Sequence, residues 1–179
     1  MKQAWLYVCG LLLLGIIVLG ASPAGAVSAA GPYYATPSWD QKLDASTRFI
    51  VLTNWSSLAV LDRETGLVWE QSPSTGTLNW VSAQLHCNEL ATGGRLGWRL
   101  PTLQELASLV DPTQTNPALP SGNPFSNVQL DPYWTVTSSV FAGEAWFLNF
   151  GSGGTSTTGK GQIVLRAWCV RGGHGVDPQ

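Results

Sequence analysis

The stretch Gly97-Trp98-Arg99-Leu100-Pro101-Thr102-Leu103-Gln104-Glu105-Leu106 lies between the second and third cysteines of the chain. Thr102 and Glu105 have the spacing of a capping box, in which each side chain accepts a hydrogen bond from the other residue's amide. The stretch therefore predicts the start of a helix, which ends at Asp111-Pro112 because proline disfavours helical geometry at the residue before it. Since capping explains Glu105, we interpret it as a cap rather than a catalytic acid.

A second amphipathic segment precedes this stretch. Asn79 can cap a helix from Trp80 to about Leu90, because apolar residues recur there every three or four positions and place Cys87 on the buried side. Further upstream, two short apolar runs flank residues 62–66, Asp-Arg-Glu-Thr-Gly. This pattern predicts a β-hairpin in which the glycine supplies a positive φ.

The residues after the stretch divide into a long loop and a strand region. Asp111 to Pro132 contains five prolines and little periodicity, so we interpret it either as a binding surface or as a passive surface loop. Three runs, 133–137, 145–150 and 163–170, predict antiparallel strands. Residues 151–161 have the composition of a long hairpin loop.

The N-terminal residues predict export. Lys2 precedes an apolar run from Leu6 to Leu19, and Ala24-Gly25-Ala26 supplies the small-x-small pattern of a signal-peptidase site. We expect residues 1–26 to be a signal peptide and the mature protein to be periplasmic, cell-surface or secreted. The alternative is an uncleaved membrane anchor, but a spanning helix needs about 20 apolar residues and this run is shorter.

Export decides how the cysteines are interpreted. Removal of residues 1–26 takes away Cys9 and leaves Cys87 and Cys169, an even pair in an oxidising compartment, which predicts a disulfide. The bond would close a loop of 82 residues (169 minus 87), worth about 4.5 kcal/mol in the chain-entropy model. A catalytic cysteine is the alternative, but the neighbouring His86 points about 100° away on a helix and cannot act as its base.

Composition and charge predict the domain boundaries and limit the kinds of ligand that the chain is expected to bind. Residues 27–47 show no periodicity, so we expect an extended lead-in, then one domain at 48–173 and a tail at 174–179. Loss of Lys2 changes the formal net charge from −2 to −3, which argues against nucleic acid as a partner. Binding of sulfated glycans would require a local basic patch.

One segment resembles a nucleotide-binding motif without completing it. Residues 154–160 match the first seven positions of a nucleotide-binding P-loop, but Gly161 stands where Ser or Thr should hold magnesium, and a strand is expected to follow. His86 and His174 are too few and too badly placed for a zinc site. We therefore expect no nucleotide, no metal and no cofactor, and we predict a binding protein rather than an enzyme.

Tryptophan is abundant, with nine in the chain. Burial of an indole removes a large apolar area from water, so most are expected in the core, while one or two at a loop-rich edge can stack on a sugar ring. The strands and turn after the long loop supply our candidate ligand-contact residues, Trp134, Glu144, Trp146 and Asn149. The eight tryptophans of the mature chain are Trp39, Trp55, Trp69, Trp80, Trp98, Trp134, Trp146 and Trp168.

Six short motifs in a fixed order carry a family resemblance. They are Thr65-Gly66-Leu67-Val68-Trp69; Asn79-Trp80 with Cys87-Asn88-Glu89-Leu90; Trp98-Arg99-Leu100-Pro101 with Glu105-Leu106; Tyr133-Trp134-Thr135; Ala145-Trp146-Phe147-Leu148-Asn149-Phe150; and Cys169-Val170-Arg171-Gly172. Together they resemble the DUF1566 family, which is related to the C-terminal domain of the Legionella collagen-like adhesin. The resemblance covers about residues 58 to 173.

The resemblance implies an α+β, C-type-lectin-like domain with two helices, a small twisted antiparallel sheet, a long loop region and one disulfide from the first helix to the last strand. It also implies adhesion or carbohydrate recognition at a bacterial envelope or surface, with a glycan or a surface protein as partner. The related adhesin domain binds sulfated polysaccharides. The Glu-Pro-Asn and Trp-Asn-Asp motifs of calcium-dependent lectins do not occur here, so calcium-mediated sugar binding is not expected.

Two other functions stay open. A structural subunit of an envelope or surface complex predicts a broad apolar patch. An enzyme distantly related to the formylglycine-generating enzymes, which have a similar Arg-Leu-Pro helix start, predicts a deep pocket with polar groups of shifted pKa. The catalytic cysteine pair of those enzymes has no match in this chain.

Overall fold

Residues 43–172 are the part of the chain that this computed structural model describes, and they contain eight strands, three α-helices and two 3-10 turns, Thr53–Trp55 and Thr92–Gly94. The strands are β1 (Phe49–Val51), β2 (Ala59–Asp62), β3 (Leu67–Glu70), β4 (Trp98–Arg99), β5 (Pro132–Ser138), β6 (Glu144–Asn149), β7 (Thr155–Gly159) and β8 (Val170–Gly172). The helices are α1 (Ala45–Arg48), α2 (Trp80–Glu89) and α3 (Leu103–Ala107). One antiparallel sheet has the order β1-β2-β3-β8-β4 and the other β5-β6-β7. The α+β class is confirmed, with two sheets where one was expected.

The start of the domain differs from the prediction. Residues 43–47 were assigned to the extended lead-in, yet α1 forms one helical turn there, and the Leu43 amide donates to Glu64 Oε1 at 2.5 Å. The buried side chain of Arg48 explains the difference, because it fixes the preceding turn against the domain. The predicted signal peptide, the remaining lead-in and the C-terminal tail lie outside the described residues. Within residues 43–172, no helix has the length and apolar content to cross a bilayer.

The hairpin predicted around residues 62–66 is confirmed. Strands β2 and β3 pair antiparallel, with Leu61 opposite Val68. Gly66 has a φ of 71°, and its amide donates to the carbonyl of Asp62 at 2.8 Å. Glycine adopts this left-handed conformation without a Cβ clash, which is why the turn closes at this position.

Helix α2 and the disulfide also agree with the sequence. The Asn79 side chain caps the helix by accepting a hydrogen bond from the Ser82 amide at 2.9 Å. The buried face carries Ala83 and Cys87, and Cys87 is bonded to Cys169 with a Cα–Cα distance of 5.4 Å. The cross-link therefore joins the helix to the residue immediately before β8.

Helix α3 begins where the capping box predicts and ends earlier than expected. The Glu105 amide donates to the Thr102 hydroxyl at 3.2 Å, and the Thr102 amide donates to Glu105 Oε2 at 2.8 Å. The helix ends at Ala107 rather than at Asp111, because the Leu109 and Val110 amides bond three residues back and tighten the chain into turns.

Two predictions in the C-terminal region are wrong. Residues 155–159 form β7, although they were assigned to a loop, and residues 163–170 make only isolated bridges before β8 begins at Val170. The first error arises because β7 is an edge strand of Thr, Ser and Gly, which shows no alternation of apolar and polar residues. The second error arises because Ile163 and Val164 are apolar, which is typical of a buried strand, although both side chains are exposed.

Tryptophans dominate the two clusters of buried side chains. Trp69 and Trp168 lie edge to face in one cluster, with ring centroids 5.8 Å apart. Trp98 and Trp134 lie in the other cluster, which also contains the disulfide. The expectation that most tryptophans serve the core therefore holds for these four.

Candidate functional site

The four candidate contact residues occupy different environments. Trp134 is fully buried, and its indole Nε1 donates to the Leu78 carbonyl at 2.8 Å. A side chain without exposed surface cannot meet a ligand, so its assignment as a contact residue is corrected to a core role. Alternation along β5 did not reveal this, because residues on both faces of the second sheet belong to the buried clusters.

Glu144 and Trp146 lie together on one face of β6. Trp146 is opposite Thr157 on β7, and the Thr157 hydroxyl donates to Glu144 Oε2 at 2.7 Å. Asn149 has the opposite parity along the strand and so points to the other face. Its Oδ1 accepts a hydrogen bond from the Gly151 amide at 2.7 Å, which makes it a turn residue. The structure therefore brings together only two of the four predicted contact residues.

The arginine of the Arg-Leu-Pro stretch forms hydrogen bonds within the domain. Arg99 Nη1 and Nη2 donate to the two carboxylate oxygens of Glu105 at 2.7 and 2.6 Å, and Nη2 also donates to the Gly172 carbonyl at 3.0 Å. Burial alone would raise the pKa of Glu105, but the hydrogen bonds and charge of Arg99, together with bonds to Thr102, hold that pKa below its ordinary value. An ionised, fully bonded carboxylate is a structural tie rather than a general acid.

One tryptophan and two arginines form a cluster beside β8, the strand that carries Arg171. The guanidinium carbons of Arg95 and Arg171 are 5.5 and 5.6 Å from the centre of the Trp55 ring. Arg171 Nε donates to the Leu96 carbonyl at 2.8 Å, which fixes the direction of that side chain. We call Trp55, Arg95 and Arg171 the arginine cluster.

The backbone beside the arginine cluster is adapted to the tryptophan. Gly93 has a φ of 67°, and a Cβ placed there would lie 2.7 Å from the Trp55 Cβ and 2.9 Å from its Cε3. Trp55 also meets the buried Trp98 edge to face, with centroids 6.5 Å apart. The indole is therefore clamped by the fold, and it holds the two arginines in place.

Ion pairing distinguishes Arg95 and Arg171 from three of the four other arginines in residues 43–172. Arg48, Arg99 and Arg166 each form an ion pair with a carboxylate. Within residues 43–172, no carboxylate forms such a pair with Arg95 or Arg171. A local basic patch therefore exists on a chain whose net charge is negative. Its members come from separate segments, so no local motif predicts it.

The amino-acid sequence also matches a known protein family. The model of the Lcl C-terminal domain matches residues 58–171. The chain belongs to the Lcl C-terminal domain family. The match confirms the predicted relation to the C-terminal domain of the Legionella collagen-like protein, and it associates this chain with a surface adhesin. No curated protein matches the chain at a significant level.

The matched range of the Lcl C-terminal domain contains both ends of the disulfide and both arginines of the cluster, while Trp55 lies just before it. Adhesin association and a disulfide both point to an envelope or extracellular environment. The two arginines of the cluster thus lie within the matched family domain, and the tryptophan that they contact lies three residues before it.

Glu70 is a buried carboxylate of a different kind. Burial raises its pKa to about 7, and the hydrogen bond that its Oε2 accepts from the Cys169 amide at 2.9 Å lowers the pKa by less. The side chain lies in the sheet beside the disulfide and is almost without exposed surface. It can exchange a proton near neutral pH, but it is not open to a substrate.

A small cavity lies where the long loop meets α1. Its volume is about 230 Å³, and its walls include Asp44, Arg48, Asp111 and Ser121. The loop predicted as a possible binding surface therefore does contribute to a concave site. Among the described residues, no group of three or more His, Cys, Asp or Glu side chains is placed to hold a metal ion.

Proposed function

We propose that this chain is an exported adhesion module that binds acidic glycans through the arginine cluster. The observation that carries the proposal is the pair of guanidinium groups, Arg95 and Arg171, held on the Trp55 ring without a carboxylate partner among residues 43–172. The family association with an adhesin supports the same role.

The chemistry of arginine favours an anionic ligand. A guanidinium group presents several N–H donors in one plane, which match the two oxygens of a carboxylate or sulfate group. Arg171 uses Nε for the Leu96 carbonyl, and its two terminal nitrogens have no hydrogen-bond partner among residues 43–172. Contact with the Trp55 ring reduces the freedom of both side chains before the ligand arrives, which lowers the entropic cost of binding.

The shape of the site suits a polymer. Arg95 is exposed and Trp55 and Arg171 are half-buried, so the cluster lies at the surface and each contact is weak on its own. A polysaccharide carries many identical acidic groups, and repeated contacts raise the apparent affinity of a weak site. Adhesion by this mechanism falls as salt is added, because exposed charges are screened.

The test is a binding comparison between acidic and neutral polysaccharides, in which dextran sulfate and neutral dextran share one backbone. The exported form of the chain is titrated with dextran sulfate, polygalacturonate and neutral dextran at low and moderate NaCl. We expect binding to the two acidic polymers, weakening with salt, and none to dextran. Equal binding to dextran, or no binding to either acidic polymer, would remove the proposal.

A structural role in an envelope complex is the second candidate. Val140 and Phe141, at the turn between β5 and β6, are 95% and 67% exposed, and Val81 and Leu85 on α2 are also exposed. Exposed apolar side chains of this kind are typical of a protein contact. Co-purification of one envelope protein, abolished by Val140→Ser with Phe141→Ser and unaffected by Arg95→Gln, would favour this role.

We propose binding rather than catalysis. Within the described residues, Cys87 and Cys169 are joined in a disulfide, so they offer no free thiol for chemistry of the formylglycine-generating type. We also propose that the fold is C-type-lectin-like, as the resemblance implies. An experimental structure, compared with known lectin-like domains, would test that assignment.

A further inference from the structure

We propose that the edge strand β7 pairs antiparallel with β7 of a second copy of this chain, so that two domains share one continuous sheet. β7 (Thr155–Gly159) is the outer strand of the sheet β5-β6-β7. The arginine cluster lies beside β8, which belongs to the other sheet. The proposal therefore adds a protein partner to the proposed function and does not depend on it.

Every second residue of β7 turns its backbone away from β6. At the two ends of the pairing, the Asn149 amide donates to the Gly154 carbonyl at 2.8 Å, and the Lys160 amide donates to the Gly143 carbonyl at 2.9 Å. The two strands pair without a register shift, and backbone groups alternate in direction along an antiparallel strand. The residues of β7 whose amide and carbonyl point away from β6 are therefore Thr155, Thr157 and Gly159.

The opposite edge of the same sheet is covered, and the edges of the other sheet are shorter. On β5, the Trp134 amide donates to the Arg166 carbonyl at 2.9 Å, and the Val136 amide donates to the Pro101 carbonyl at 2.8 Å. The outward amides and carbonyls of β7 form no such bonds within residues 43–172. In the first sheet, the edge strands β1 and β4 have three and two residues. Among the described strands, β7 is thus the longest one with an open outer edge.

β7 lacks the features that keep edge strands of natural proteins apart. Its sequence, Thr-Ser-Thr-Thr-Gly, contains no charged residue and no proline. Lys160 follows the strand directly, but its ammonium group lies 4.1 Å from the centre of the Trp80 ring and donates to the Ser138 hydroxyl at 2.8 Å. That charge is held against its own domain, so it does not guard the edge.

The open edge selects an extended backbone as its partner. Amide donors and carbonyl acceptors that alternate along one line are matched by another β-strand. A second β7 fits because the strand is complementary to itself. In an antiparallel pair centred on Thr157, that residue faces its own copy and Thr155 faces the partner's Gly159. Each of the three facing pairs exchanges two hydrogen bonds, and no other register pairs all three outward residues of β7.

The side chains agree with this register. Ser156 faces the partner's Thr158, and cross-strand pairs of serine and threonine are favourable, whereas like charges in such positions are unfavourable. Thr155 and Ser156 are exposed. A Cβ placed on Gly159 would meet no atom within 4 Å, so the space beside the strand is open at this end as well.

The size of the contact predicts a weak dimer. One pair of five-residue strands buries less than the roughly 1,200 Å² of a stable protein interface. Such a dimer forms where the chain is concentrated, as it is along a polymer. A dimer carries two arginine clusters, and simultaneous contact of both with one polysaccharide raises the apparent affinity. This consequence rests on the proposed function, whereas the strand pairing does not.

The experiment is sedimentation equilibrium of the exported form of the chain, from low micromolar to submillimolar concentration. Two double variants share Gly159→Lys and differ only at residue 155. Thr155→Lys places like charges in both facing pairs of the dimer, and Thr155→Glu places opposite charges there. The two positions are about 13 Å apart along one strand, so their charges do not pair within one copy.

We expect the wild type to dimerise as its concentration rises. The variant with Thr155→Glu should dimerise at least as tightly as the wild type. The variant with Thr155→Lys should dimerise at least about tenfold more weakly than the variant with Thr155→Glu.

Hydrogen exchange followed by NMR provides a second readout on the wild type. The amides of Ser156 and Thr158 face β6, so we expect them to be protected at every concentration. The amides of Thr155, Thr157 and Gly159 should become protected only as the dimer forms.

Three results would overturn the pairing. One is a monomer at submillimolar concentration. Another is equal dimerisation of the two variants, which would place the contact on a different surface. The third is protection of the outward amides at every concentration, which would mean that another segment of the same chain covers β7. Dextran sulfate binding at low micromolar concentration tests the arginine cluster alone, so the failures of the two proposals are distinguishable.

Discussion

Arg99 and Arg171 lie on the paired strands β4 and β8 and have opposite roles. Arg99 forms two bonds to Glu105 and one to the Gly172 carbonyl. Arg171 is opposite Trp98, leans on Trp55 and has no carboxylate partner among residues 43–172. The difference teaches that the arginine in the most conspicuous sequence motif holds the fold together, whereas the less conspicuous one is available to a ligand.

Removal of the disulfide would affect both arginines, because it releases β8. We expect Cys87→Ser with Cys169→Ser to lower the free energy of unfolding by about 4.5 kcal/mol, since the bond closes a loop with a sequence separation of 82 residues. Urea unfolding followed by tryptophan fluorescence measures this loss. An unchanged midpoint would show that packing alone holds β8.

The structural role of Arg99 depends on its ion pair with Glu105. We expect Glu105→Ala to lower the free energy of unfolding by about 3 kcal/mol, because it removes a cap and leaves Arg99 without its carboxylate. Glu89→Ala, at an exposed position on α2, is the matched control and should change stability little. If the two variants unfold alike, the Arg99–Glu105 pair is not a structural tie.

Glu70 differs from Glu105 because it is a buried carboxylate that forms no ion pair with an arginine or lysine within residues 43–172. Its pKa is about 7 in the folded protein and near 4.5 when unfolded. The folded state therefore binds the proton more tightly, and the stability that this proton contributes is fully present below pH 4.5 and lost as pH rises through about 7. We expect a loss of up to about 3 kcal/mol across that window.

Glu70→Gln should flatten this pH dependence, because the amide oxygen still accepts from the Cys169 amide and carries no charge. Urea unfolding at pH 5 and pH 8 compares the two proteins. We expect the variant to be more stable than the wild type at pH 8 and similar to it at pH 5. Parallel pH profiles would mean that Glu70 does not titrate in this range.

Local signals in the sequence were enough for much of the fold. The capping box at Thr102, the Asn79 cap and the Gly66 turn depend on residues within a few positions of each other, so spacing alone predicts them. Parity of the cysteines predicted the disulfide in the same way. Strand β7 was missed because an exposed edge strand of small polar residues carries no hydrophobic period.

The candidate site was harder to predict because it is not local. Trp55, Arg95 and Arg171 meet only because β8 pairs between β3 and β4. No spacing rule connects three segments so far apart in the chain. Trp134 was misassigned for a related reason, since strand alternation shows which residues share a face but not which face is covered.

The central claim is that Arg95 and Arg171 bind acidic glycans without supporting the fold. The most direct measurement is dextran sulfate affinity together with urea stability for Arg95→Gln with Arg171→Gln. The control is Arg63→Gln, at an arginine whose side chain donates to the Thr47 carbonyl and forms no ion pair within residues 43–172. We predict that the double variant binds at least about tenfold more weakly and loses less than about 1 kcal/mol of stability. Unchanged affinity, or an equal loss of affinity in Arg63→Gln, would contradict the account.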